Sequence, residues 1–255
     1  MNRRHRKEWG WMDTARHGII FGAGEYYGIR PAPVQGALIV AADGGYDAAM
    51  SFGFTPDVVI GDFDSLEGEV PDNGHTVRLH PEKDDTDMLS AFKIGWQQGA
   101  RVFDVYGGLG GRLDHTIGNM QLLADIARHG GIAFLHGADV IVTAISEGTL
   151  IFPAGNVKAR RMISVFSHTD ASYDVSEVGL KYELDHVRLR NDHPLGISNE
   201  FRANTSATVS VGQGTLIITF PAEAPTPEWT GDITPTPTLG PIDDRITPLL
   251  APDLR

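Results

Sequence analysis

Short, uninterrupted apolar runs alternate with amphipathic segments over the first half of this chain, and that alternation limits the fold more than any other feature. Residues 18–21, 37–41, 58–60, 77–79 and 102–105 read as strands, several of them apolar at consecutive positions. A strand with no polar side has nothing to offer water, so it belongs in a sheet covered on both faces. Between the runs, residues 85–98 place Met88 or Leu89, Phe92 and Trp96 at helical spacing. Residues 116–128 are also helix-like, and Gly130-Gly131 stops them. This predicts a layered, Rossmann-like α/β domain over residues 18–146 with a mostly parallel sheet.

From residue 147 the pattern becomes β only. Residues 149–152, 162–166, 172–175, 208–211 and 215–220 are short β-rich runs, with Gly155-Asn156 and Gly212-Gln213-Gly214 as hairpin-type turns. A small antiparallel β-sandwich over 147–220 is expected. Eight of the chain's 15 prolines fall after residue 220, so residues 221–255 read as a mobile or loosely laid tail with too little apolar surface to offset ordering. Residues 1–17 carry five Arg or Lys against two acids and lack an apolar signal core. They read as a flexible basic leader, or as the product of an upstream start with Met12 as the alternative.

The formal charge of −12 opposes nucleic-acid binding, which needs a basic face, and suits metal ions or a cationic substrate. No run approaches the about 18 apolar residues of a membrane span. The absence of cysteine excludes disulfides, thiolate zinc sites and a cysteine nucleophile, and fits a cytoplasmic protein.

Ligands of parallel α/β sheets bind at the carboxyl ends of the strands, so the polar residues just after the apolar runs are the candidates. Ala42-Asp43-Gly44-Gly45 follows the second run, where the glycines permit close backbone approach and a helix begins. Gly61-Asp62-Phe63-Asp64-Ser65 follows the third, with two carboxylates able to share a hard cation. Lys83-Asp84-Asp85-Thr86-Asp87 opens a helix, and its lysine beside three acids suits a polyphosphate. The loop from Gly107 to Asp114 adds glycine backbone donors and the fork of Arg112. Gly22 and Gly24 follow the first run, but the full GxGxxG and GxxxxGK[ST] signatures are absent. Together these clusters describe a site for a polyphosphate and Mg²⁺.

Four segments, Ala-Asp-Gly-Gly (42–45), Gly-Asp-Phe-Asp-Ser (61–65), Lys-Asp-x-Thr-Asp (83–87) and Gly-Gly-Arg-x-Asp-His (110–115), resemble in this order the motifs of thiamine pyrophosphokinases. Gly179-Leu180-Lys181-Tyr182 and residues 196–201, Gly-Ile-Ser-Asn-Glu-Phe, are similar to that family's thiamine-side signature. The resemblance spans residues 18–220, and the leader and tail have no counterpart in it. It implies a homodimer that binds ATP and Mg²⁺ on the α/β domain and thiamine in a cleft between subunits. Asp43, Asp62, Asp64 and Asp87 would then serve catalysis, with Asp62, Asp64 and Asp87 as metal ligands. Gly22, Gly24, Gly44, Gly45, Lys83, Thr86, Arg112 and Asp114 would face ATP, and Ser198 and Asn199 would lie near thiamine. Three rival readings are a pyrophosphokinase for another alcohol such as a pterin, a non-catalytic nucleotide-binding module, and a metal-dependent phosphohydrolase.

Overall fold

The structure is a computed structural model, and it describes residues 16–63, 76–80, 83–155 and 161–242. The chain runs β1 (Arg16–Phe21), β2 (Leu38–Ala42), α1 (Gly45–Ser51), β3 (Val58–Gly61), β4 (Thr76–Arg78), α2 (Asp87–Gln97), β5 (Ala100–Tyr106) and α3 (Leu113–Arg128). Then come β6 (Ile132–His136), β7 (Val140–Phe152), β8 (Met162–Ser167), β9 (Ala171–Val178), β10 (Leu184–Arg190), β11 (Gly196–Glu200), β12 (Ala207–Pro221) and β13 (Glu228–Gly231). The expected α/β layer and β-only layer are both present. Among the described residues, no helix is long and apolar enough to cross a membrane.

Strands β4, β3, β2, β1, β5 and β6 lie side by side in that order, and every neighbouring pair is parallel. The order reverses between β1 and β5, the point at which open α/β sheets form a crevice. Helices α2 and α3 cover one face, enclosing Ile20, Val40, Ile60, Phe92, Trp96, Phe103 and Leu123. The continuously apolar strands thus find cover as their pattern requires.

Strand β6 pairs antiparallel with β7, and β7 continues without a break through the expected domain boundary at residues 146 and 147. Glu147 has φ 45°, and the opposite register shifts between Val211 and Thr215. Both long strands therefore bend together and carry one sheet from the α/β layer into the antiparallel layer. The Gly212-Gln213-Gly214 segment is this bulge and not a hairpin turn. Gly214 takes φ 103°, open to glycine at little cost, and lets β12 pair with β9 before the bend and β8 after it. A second core fills this layer, where Phe152 meets Phe201 and Phe220 edge-on at centroid distances of 5.1 and 5.0 Å.

The tail departs from expectation between residues 221 and 242. Glu228–Gly231 adds β13 to β7, and Trp229 is buried in the second core at 6 % exposure. The chain then crosses to the helical face, where the Trp96 indole N–H donates to the Thr236 carbonyl at 2.9 Å. Leu239 and Ile242 pack against the main core. Proline content describes the backbone's stiffness, but one tryptophan and two aliphatic side chains suffice to dock an extended segment. Residues 243–255 and 1–15 lie outside the described residues.

Candidate active site

The carboxyl ends of β2 and β3 are drawn together by backbone contacts. The Asp43 amide donates to the Ile60 carbonyl at 2.8 Å. A side chain on Gly61 would put its Cβ 3.0 Å from Asp43 Cα, so glycine permits this approach. Asp43 sits at φ 50°, a region that aspartate tolerates better than most residues. Phe63, at φ 63°, turns inward onto Ala41 and Val59, while Asp62 beside it remains at the strand end. Gly44 caps α1, and Gly45 opens it so close to β1 that a Cβ would lie 2.1 Å from the Phe21 carbonyl oxygen.

Asp43, Asp62 and Asp87 each place a carboxylate oxygen within 4.8 Å of the others. Lys83 stands among them, its Nζ 3.0 Å from Asp87 Oδ1 and 3.6 Å from Asp62 Oδ2. One lysine pairs with two of the three carboxylates. Burial raises the Asp87 pKa, Lys83 opposes that shift, and the Asp62 and Asp43 charges add to it. Asp43 Oδ1 is buried with no hydrogen-bond partner among the described residues. An all-oxygen donor set with a buried acceptor left over fits a hard divalent cation such as Mg²⁺. Asp64, expected as a third ligand of the metal, lies outside the described residues.

The remaining candidates divide. The Thr86 hydroxyl caps α2 by accepting from the Leu89 amide at 3.2 Å. Gly22 and Gly24 spend their amides on the carbonyls of Tyr106 and Gly107, at 2.8 and 2.9 Å. They join the loops after β1 and β5, so in this structure those N–H groups do not point to a phosphate. Arg112, 73 % exposed, pairs with Asp114 through Nη2 at 2.6 Å, and neither group joins the Lys83 cluster. Asp85, one of the three acids beside Lys83, turns the other way and pairs with Lys93 at 2.5 Å.

In the antiparallel layer, Ser198 is exposed at φ 59°. Asn199 faces inward and is fully engaged. Its Nδ2 donates to Glu177 Oε2 at 2.7 Å and to the Tyr182 carbonyl at 2.6 Å, while its Oδ1 accepts from the Tyr182 and Glu200 amides. As it stands it clamps three segments and offers nothing to a substrate.

Sequence reasoning missed the two tyrosines that organise the glycine loops. The Tyr26 hydroxyl donates to the Gly22 carbonyl at 2.8 Å, and the Tyr27 hydroxyl accepts from the Gly111 amide at 3.0 Å. Their position one residue past Gly22-Ala23-Gly24 was the available signal.

Fold and cluster define the class: an α/β protein with a cation-competent acidic site at the carboxyl ends of its parallel strands. Comparison with known proteins narrows it. Residues 34–134 match the model of the thiamin pyrophosphokinase catalytic domain, and residues 151–216 match that of the thiamin pyrophosphokinase vitamin B1 binding domain. The chain is 26 % identical over 193 residues to Thiamine pyrophosphokinase of Bacillus subtilis, covering 71 % of this chain and 86 % of that one. It is 25 % identical over 193 residues to Thiamin pyrophosphokinase 1 of Caenorhabditis elegans, covering 72 % of this chain and 79 % of the other. The crystal structure of Thiamine pyrophosphokinase from Bacillus subtilis superposes with a TM-score of 0.70 at 23 % identity, over 82 % of this chain and all of that one, a likeness of fold. The chain belongs to the thiamin pyrophosphokinase family.

Proposed function

We propose that this protein transfers the diphosphoryl group of ATP to the hydroxyl of thiamine, giving thiamine diphosphate and AMP. The observation that carries the proposal is the Asp43, Asp62 and Asp87 cluster around Lys83 in a chain of this family. The thiamine hydroxyl oxygen bonds to the β-phosphorus, the bond from that phosphorus to the AMP oxygen breaks, and the hydroxyl proton passes to a carboxylate. Asp87, whose pKa burial raises, and Asp64 are the two candidate acceptors. Asp43, Asp62 and Asp87, with Asp64, would hold Mg²⁺, which when bound supplies neutralisation of phosphate oxygens. Lys83 adds a point charge for those oxygens, largely withdrawn from water, where it acts at lower dielectric. The chain's work is therefore alignment and charge, as phosphoryl transfer requires.

The cation thiamine suits the acidic balance of the chain, and exposed Ser198 is the side chain to test for contact with it. The reading includes a cytoplasmic homodimer whose cleft draws on both subunits, the commonest closed assembly, and light scattering of the purified protein checks its mass.

The decisive assay follows AMP and thiamine diphosphate from ATP, Mg²⁺ and thiamine. Asp62→Asn should lower kcat by roughly two or more orders of magnitude with an unchanged melting temperature, since it removes one ligand of the cation that would neutralise the reacting phosphates. AMP formed equally well without thiamine, or with a pterin in its place, would refute the assignment. Near-normal turnover of Asp62→Asn would remove the cluster from the reaction.

A further inference from the structure

A lysine between Phe92 and Ile94 on α2 would ordinarily reach into water, yet Lys93 is only 7 % exposed. A buried ammonium is costly unless paired, and its Nζ lies 2.5 Å from Asp85 Oδ2, itself on a buried residue. The partners are eight residues apart, too far for the usual one-turn helical pair. Asp85 precedes the Thr86 cap, so the bond ties the turn ahead of α2 to the helix's second turn.

That turn carries the site. Lys83 and Asp87 flank Asp85 at two residues on either side and point to the acidic cluster, while Asp85 points away to Lys93. Alternate residues of one short segment are thus pinned on opposite sides. The docked C-terminal segment passes beside the Lys93 stem. A Cβ on Gly240, at φ 98°, would lie 4.0 Å from Lys93 Cε. The segment is fastened beside it by the Thr236 amide to the His129 carbonyl and by the Trp96 indole to the Thr236 carbonyl, both 2.9 Å.

We propose that Lys93 and Asp85 are positioning residues that hold the Lys83–Asp87 turn against the acidic cluster, with the C-terminal segment acting as the strap that keeps their bond dry. Neither residue touches substrate. The inference rests on the cluster being the site of the proposed reaction, so two of its readouts do not need that reaction. These are Mn²⁺ binding to the intact chain, followed by the paramagnetic resonance of free Mn²⁺, and hydrogen exchange of the 83–90 segment.

Stability and positioning separate in the double variant Lys93→Met/Asp85→Leu, because replacing a buried ion pair by apolar side chains is often neutral for stability. The expected result is a near-normal melting temperature together with roughly 10- to 100-fold weaker Mn²⁺ binding, a typical cost of removing support behind ligands. The kcat should fall by a similar factor while the thiamine KM stays within about threefold, since the lost interaction serves the reacting phosphates. Wild-type Mn²⁺ affinity and turnover in this variant would overturn the proposal and leave the pair a purely structural one. A chain ending at Asp232 retains β13 but lacks the strap, and serves even where the double variant does not fold. It should show at least about tenfold faster exchange over 83–90 and weaker Mn²⁺ binding, as expected when a local structure opens more readily. Unchanged exchange and binding there would equally overturn it. Absence of thiamine diphosphate from the wild-type protein would sink the functional reading alone.

Discussion

Replacing Trp229 by alanine tests the docking of the C-terminal segment most directly. The indole is 6 % exposed among Leu150, Phe152, Phe220 and their neighbours, and its backbone pairs with Leu150 at the β7 edge. Truncating a buried tryptophan costs about 3–5 kcal/mol, and the lower end applies here because β13 pairs on one side only and can relax into the space. For a protein of this size, a loss of about 3 kcal/mol corresponds to a melting temperature lower by roughly 6–12 °C. Ending the chain at Ala222 should cost more. It removes the four-residue ladder of β13, the cover from Leu239 and Ile242, and the acceptor of the Trp96 N–H, leaving a buried donor whose orphaning adds about 1–3 kcal/mol. Trp229→Phe should keep most of the stability, since an aromatic ring still fills the site. Thermal unfolding followed by circular dichroism, with urea titration as a check, reads all three. A melting temperature within about 2 °C of wild type for both Trp229→Ala and the truncated chain would refute the claim that this segment belongs to the core.

Asn199→Ala should cost about 2–3 kcal/mol in urea unfolding, because it strips the buried Glu177 carboxyl of its donor. Burial already raises the Glu177 pKa against the opposing Asn199 bond, so the folded state favours its protonated form and that carboxyl destabilises as pH rises. The deficit should therefore be larger at pH 8 than at pH 5, and a raised thiamine KM with unchanged stability would show that Asn199 serves substrate instead. Asp104 behaves oppositely: burial alone would raise its pKa, but hydrogen bonds from His136 at 2.6 Å and His17 at 2.7 Å hold it at about 2. Its folded pKa is depressed, so roughly 2 kcal/mol of stability should be present above about pH 4 and lost as pH falls toward 2. Asp104→Asn should be less stable than wild type at pH 6 and indistinguishable near pH 2; a constant difference across that range in thermal unfolding would exclude this linkage.

Periodicity and turn chemistry are local, and they carried the architecture. Continuously apolar runs such as 18–21 and 58–60 had to become covered parallel strands, and the aspartates that follow them had to emerge at strand ends. Strand β10 was harder to read, since the positive φ of His186 and its bulges break the alternation of Leu184, Val187 and Leu189. The joining of β7 and β12 into one bent sheet was hidden for a similar reason. A bulge and a hairpin turn both look like glycine between two β-rich runs, and only the long-range partner strand distinguishes them.

Residue types and their order were enough to determine the family and the set of acids available to the site. Which acid faces which partner was decided by the tertiary structure alone. Asp87 joins Asp43 and Asp62, whereas Asp85, two residues earlier, is taken by Lys93 on the far side of the turn. Asn199, in turn, is drawn inward by the buried Glu177. The physical reason is common to all of these. A charged or amide side chain carries no period that fixes its direction, so its partner is set by whichever complementary group the fold brings within bonding distance in a dry place. The strap obeys the same rule, because Trp229 and Leu239 have no local context that demands burial until β7 and α2 present surfaces to receive them.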